Sequence, residues 1–222
     1  MSGRTTEQLL HELSQNLPPV RPIPRIRSVL AVVLAAWLGA IALDWRYGLL
    51  REGAFGALAG ADARFVAVLA GLALVAVGAM LASLTSAVPG RESDTRLCTA
   101  AAFIGVGLAA GGGLWAVVAA AGSESDTAAG AFLCLSHATA LGFLPVLMAA
   151  LFLARGVAHR PRIGAGLAAC GAVALGALVI HASCRAGGAL HMLLGHALAP
   201  LFLGFALAIP LAALIRHWGR AN

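Results

Sequence analysis

Apolar residues run through this chain in long unbroken blocks separated by short polar stretches. Six blocks, 29–47, 65–88, 97–122, 131–154, 163–182 and 189–215, are near the length of about 20 residues that a helix needs to cross a bilayer. The predicted fold is therefore all-α. A polar tail, 1–28, precedes a polytopic domain of six transmembrane helices, 29–222. The first block is the weakest, being uninterrupted only over 29–43, but Trp45 and Tyr47 suit its far end to the membrane interface. Short turns separate the last three blocks, which predicts neighbouring antiparallel helices. No internal repeat is evident, which argues against an inverted-repeat transporter.

Composition supports a membrane protein. Hydrophobic residues make up 60% of the 222 and charged residues 11%, with a mean hydropathy of +0.91. Soluble domains carry roughly 45–50% apolar and about 25% charged residues. A net charge of +6 and a pI near 10.4 raise the question of nucleic acid. The basic residues, however, are all Arg and sit at the ends of the apolar blocks, as membrane topology requires. No direct nucleic-acid binding is expected. The first 28 residues are polar and Pro-rich, unlike a cleaved signal peptide, so the first span is expected to direct insertion.

The arginines also orient the bundle. Arg4, Arg21, Arg25 and Arg27 precede the first span; Arg91 and Arg96 follow the second; Arg155, Arg160 and Arg162 follow the fourth; Arg216 and Arg220 follow the sixth. The opposite side has only Arg46, Arg51, Arg64 and Arg185, together with the acidic loop Gly122-Ser-Glu-Ser-Asp-Thr127. The positive-inside rule then places both termini in the cytoplasm of a bacterial inner-membrane protein.

Chemistry is concentrated near the outer face. Cys134-x-x-His137 opens the fourth span, His181-x-x-Cys184 closes the fifth, and His191 enters the sixth. His196 lies deeper. Five residues of α-helix rotate about 140°, which predicts different faces for His191 and His196. Two chemistries suit the group. Cys134 and Cys184 can form a disulfide in an oxidising compartment. Alternatively Cys134, His137, His181 and Cys184 can ligate a soft or borderline metal such as Zn or Cu. A neighbouring imidazolium also makes a thiol more reactive. The plainer alternative is packing, since a free Cys often behaves as a small hydrophobe; that reading suits Cys98 and Cys170. Small residues Ala168, Ala172 and Gly176, four apart, predict close helix packing. Pro145, Pro200 and Pro210 are expected inside helices.

In the tail, Thr5-Thr-Glu-Gln8 reads as a capping box, with Thr5 as the cap. Leu9, Leu10, Leu13 and Leu17 follow at near-helical spacing, and Pro18-Pro19 ends the segment. So short an amphipathic helix needs a membrane surface or a partner's groove. Glu7 and Glu12 on its polar side favour a protein partner.

Taken together, the chain resembles the NrsF family (negative regulator of sigma F) of membrane anti-sigma factors. The resemblance rests on Leu9-Leu10, Leu13, Leu17-Pro-Pro-Val-Arg21, the Val88-Pro-Gly90 turn, Cys134-x-x-His137, Pro145, the Gly-rich fifth span, Cys184, His191 and His196. It covers nearly the whole chain through sparse motifs, and the tail departs from the pattern in being unusually Pro-rich. Membership implies a partner, an extracytoplasmic-function sigma factor held inactive at the inner membrane and released under stress. On the reading of the residues, the tail leucines Leu9, Leu10, Leu13 and Leu17 and the cytoplasmic loops would bind it, and oxidative or heavy-metal stress would be the signal. Cys134, Cys184, His137, His181, His191 and His196 would be the sensor, with no resident cofactor beyond transient soft-metal binding. A non-enzymatic regulator is thus expected. The alternatives are a membrane thiol oxidoreductase, for which no Cys-x-x-Cys motif is present, a transporter, for which the span centres lack Asp and Glu, and a haem protein using His137 and His196.

Overall fold

The computed structural model describes residues 5–15, 23–47, 61–120, 128–156, 160–184 and 188–221. These residues are helical with short connections: α1 (Thr6–Gln15), α2 (Ile26–Arg46), α3 (Ala63–Ser86), α4 (Glu92–Ala119), α5 (Ala128–Arg155), α6 (Pro161–Ser183), α7 (Ala189–Met192) and α8 (Ala199–Ala221), with a π-helical turn at Leu193–Ala197 joining the last two. Six segments are long and apolar enough to span a membrane: Ile26–Arg46, Ala63–Ser86, Glu92–Ala119, Gly130–Arg155, Pro161–Ser183 and Ala189–Gly219. The all-α polytopic bundle expected from the apolar blocks is what the chain forms. Leu17, Pro18-Pro19 and the acidic loop Gly122–Thr127 lie outside the described residues.

α6 is the bundle's centre and packs against α3, α5 and α8. Its composition explains why. The Ala168, Ala172 and Gly176 stripe is fully buried, and a Cβ added at Gly176 would stand 2.0 Å from the Ala138 carbonyl oxygen on α5. Only glycine permits that approach. The α3–α4 pair meets in the same way, with Gly71 and Gly105 backbone to backbone. Lipid supplies no hydrophobic drive between helices, so dispersion across such close contacts has to hold them. One buried polar contact adds to it: Ser83 Oγ on α3 donates to the Gly164 carbonyl on α6 at 2.9 Å.

α2 is peripheral and buries only Val33 and Asp44. Large apolar side chains, among them Phe103, Ile104, Phe205 and Ile209, point outward from the bundle, where lipid rather than water satisfies them. α3 begins at Asp62, whose Oδ1 accepts from the Phe65 N–H at 2.9 Å. That bond holds the Asp62 carboxyl below the usual carboxylate range. It also fixes the first turn of α3 and, with it, the position of Phe65.

Alternating chain direction gives the bundle two chemically distinct ends. One carries the start of α5, the close of α6 and the π turn, hence the thiols and imidazoles. The other carries Arg91, Arg96, Arg155 and Arg160. The amphipathic segment forms as α1, and both capping-box bonds are made: Gln8 N–H to Thr5 Oγ1 at 3.3 Å and Thr5 N–H to Gln8 Oε1 at 3.2 Å. Leu9 and Leu10 remain exposed.

The sixth span departs from expectation. Pro145 and Pro210 lie inside α5 and α8 as predicted, but Pro200 lies in the first turn of α8, just beyond a break. Proline has no N–H to offer the carbonyl four residues back, which is that of His196, and its ring crowds that oxygen. The chain accommodates it by widening the preceding turn, where Leu198 N–H bonds to Leu193 O at 3.0 Å, the i→i+5 pattern of a π-helix.

Candidate functional site

Four side chains converge near the close of α6. Ligand atoms of Cys134, Cys184, His191 and His196 all lie within 4.8 Å of one another. Each comes from a different local setting. Cys134 stands on the early turns of α5. Cys184 is the C-cap of α6, its N–H bonded to Ile180 O at 2.7 Å. His191 belongs to α7 and His196 to the π turn. The two sulfurs are 3.8 Å apart, and Cys184 Sγ is 3.4 Å from His191 Nε2.

The expected separation of His191 and His196 onto different faces is overturned. Their ring centroids are 5.1 Å apart. The α-helical rotation used for that expectation does not apply across a π turn, which winds five residues back to roughly the same side. Pro200 was the available signal.

The histidines expected to serve as ligands also change. His137 is exposed, and its Nδ1–H donates to the Leu133 carbonyl of its own helix at 2.9 Å. Residues three apart on a helix differ by about 60°, enough for Cys134 to face α6 while His137 turns away. Its ring interacts electrostatically with Asp44, a carboxylate that α2 buries; Asp44 follows the uninterrupted apolar run 29–43, and nothing in its local sequence signals that contact. His181 is buried beside the cluster but occupied elsewhere. Its Nε2–H donates to the Phe65 carbonyl at 3.2 Å, and its ring stacks on Phe65 at 4.2 Å. It meets His196 edge-on at 5.4 Å. The residues whose ligand atoms come together are therefore Cys134, Cys184, His191 and His196, whereas the expected set was Cys134, His137, His181 and Cys184.

Comparison with known proteins matches this chain to no family profile, no curated protein and no solved structure. The chemistry of the cluster is argued from its own geometry.

Two of the six donor-to-donor distances suit a tetrahedral ion. With metal–sulfur bonds of about 2.3 Å and metal–nitrogen bonds of about 2.0–2.1 Å, a tetrahedron separates two sulfurs by about 3.8 Å and a sulfur and a nitrogen by about 3.5 Å. The observed 3.8 and 3.4 Å match those edges. A disulfide, at about 2.05 Å, requires the sulfurs to approach much further. His196 Nδ1 is buried without a hydrogen-bond partner. An unpaired buried nitrogen costs about 1–3 kcal/mol. Room for the site comes from Gly130, where an added Cβ would lie 3.0 Å from His191 Nδ1. Neither Gly130 nor Phe65 was legible as a site residue beforehand, since glycine and phenylalanine recur throughout the spans.

Cys98 and Cys170 form no second thiol pair. The Cys98 backbone lies against Gly78 of α3, and Cys170 lies against Gly204 of α8.

Proposed function

We propose that this chain is a membrane anti-sigma factor of the kind its sequence resembles. Its α1 leucines and Arg-rich end hold an extracytoplasmic-function sigma factor at a bacterial inner membrane. The cluster at the other end receives an oxidant or a soft or borderline metal ion from the periplasmic side. The observation that carries this reading is the convergence of Cys134, Cys184, His191 and His196 at one end of the bundle, with a capped helix presenting exposed Leu9 and Leu10 in the tail.

Both signals act on the same pair of sulfurs. Metal binding displaces the thiol protons and draws four donors onto one ion. Oxidation joins the sulfurs, with two protons and two electrons leaving to the oxidant. Either event moves the start of α5 relative to the close of α6. Because α5 and α6 touch backbone to backbone at Ala138 and Gly176, the movement is passed along as a helix shift rather than absorbed by side chains. Packed helices switch between discrete arrangements, and the shift releases the partner at the Arg-rich end.

A thiol oxidoreductase would also use a thiol pair, but a relay passes electrons to a second pair, and Cys98 and Cys170 contact different helices. The haem alternative needs His137 and His196 facing one another, whereas His137 is exposed and His196 buried.

The test is co-purification with candidate sigma factors from a bacterial host. Leu9→Arg with Leu13→Arg should weaken retention by at least about tenfold, since each buried Leu contributes roughly 1.5–3 kcal/mol. Adding Zn(II) or Cd(II) should release the sigma factor from the wild type and not from Cys134→Ser with Cys184→Ser. Retention unchanged in the leucine variant, together with no release by metal or oxidant, would rule out the regulator.

A further inference from the structure

A cavity of about 520 Å³ opens at the Arg-rich end, away from the thiol cluster. Three elements wall it: the close of α3 with Thr85 and Ser86, the start of α4 with Thr95 and Arg96, and the start of α6 with Arg160 and Ile163. The turn after α3 covers it with Val88 and Pro89. Its walls thus combine apolar surface with hydroxyls, two guanidinium groups and the Glu92 carboxylate. It lies where the membrane-spanning segments end, at interface depth.

Positive charge is in excess in this cavity, with two arginines against one acid. Arg91 nearby is paired with Asp94, Nε to Oδ2 at 2.6 Å, and Arg64 with Asp62. Arg96 and Arg160 have no carboxylate partner among the described residues. The cavity's one acid, Glu92, is engaged with the turn, its Oε1 accepting from the Gly90 N–H at 3.2 Å. The start of α6 adds to the imbalance. Its N-cap is Arg160, with no side-chain cap and no acid in the first turn, although the positive end of a helix favours anions.

We propose that this cavity binds the phosphodiester headgroup of an anionic phospholipid. Arg96 and Arg160 would clamp the phosphate from two helices, and Val88, Pro89 and Ile163 would receive the glycerol and the first carbons of the acyl chains. Two features favour a lipid over a free phosphate ion. The walls beyond the arginines carry apolar surface, and the opening lies at the level of lipid headgroups. Basic pockets between helices at the cytoplasmic side are where anionic headgroups are recognised. A lipid seated here links α3, α4 and α6, the same elements that the Arg-rich end presents to any partner. The inference does not depend on the regulator reading.

The experiment uses the full chain purified in a neutral detergent and titrated with dioleoylphosphatidylglycerol, dioleoylphosphatidylcholine or inorganic phosphate. Bound lipid is counted by native mass spectrometry and thermal stability is followed in parallel. Phosphatidylglycerol should bind at least about tenfold more tightly than phosphatidylcholine, and Arg96→Gln or Arg160→Gln should each weaken it by about tenfold, the scale of a charge-assisted hydrogen bond. Arg216→Gln, outside the cavity, should bind as the wild type does. Arg96→Lys and Arg160→Lys keep the charge and should retain most of the binding, which separates loss of the site from loss of the fold. Equal binding of the two lipids, or an unchanged Arg96→Gln, Arg160→Gln double variant, overturns the proposal. Inorganic phosphate displacing the lipid at equal concentration overturns it too, by assigning the site to a free anion.

Discussion

Cys134 on α5 and Cys184 at the cap of α6 hold their sulfurs 3.8 Å apart, fifty residues from one another in sequence. Mild oxidation of the purified protein should therefore consume two of its four thiols. Diamide followed by alkylation and peptide mapping should find Cys134 linked to Cys184, with Cys98 and Cys170 still alkylatable after unfolding. A Cys98–Cys170 product, or no loss of thiols, would show that the pair does not meet.

The π turn makes its own prediction. With Pro200→Ala the missing N–H returns, and the chain can resume an α-helix from α7 into α8. His196 would then rotate away from His191. Affinity for Co(II), read from thiolate-to-metal charge-transfer and tetrahedral d–d bands, should fall by roughly 10–100-fold, the usual effect of losing the support of a ligand. His196→Ala should do the same. His137→Ala should leave the spectrum unchanged. If His137→Ala abolishes the bands and His196→Ala spares them, the donor set has been misassigned.

Gly176 admits no substitution of ordinary size. Gly176→Val would drive side-chain atoms into the α5 backbone at Ala138, an overpacking that costs about 1–3 kcal/mol or more. The variant should unfold at lower temperature in detergent. Gly107→Val, at a position with nothing within 4 Å of an added Cβ, is the comparison and should be tolerated. Equal melting of the two would remove close α5–α6 contact as a source of stability.

Orientation is open to direct measurement. Since eleven of the fifteen arginines fall on alternate segments, reporter fusions at Arg160 and Asn222 should score cytoplasmic and a fusion at Ser125 should score periplasmic. A cytoplasmic score at Ser125 would put the thiol cluster on the wrong side for an external sensor.

Much of the architecture was readable from one dimension. A bilayer demands that every backbone group be satisfied within its own segment, so an apolar block of the right length has only one structure available, and six blocks give six helices. The stripe of Ala168, Ala172 and Gly176 likewise announced a buried face, because small residues in lipid have little use except close contact. The capping box at Thr5 and Gln8 is a local motif, and local bonds are legible locally.

The site was legible only as a neighbourhood. Residue types and span ends placed Cys134, His137, His181, Cys184 and His191 near one face, with His196 deeper, but which imidazoles approach the thiols was decided in three dimensions. A rotation of about 60° separates Cys134 from His137, and only the position of α6 determines which of them faces inward. His181 is held by Phe65, which lies 116 residues away in sequence. His196 reaches the thiols because Pro200 breaks the helix and a π turn resets its face. Helix periodicity predicts rotation within an unbroken helix. It cannot predict what a break does, nor which neighbour a buried face will meet, because both depend on how the whole bundle packs.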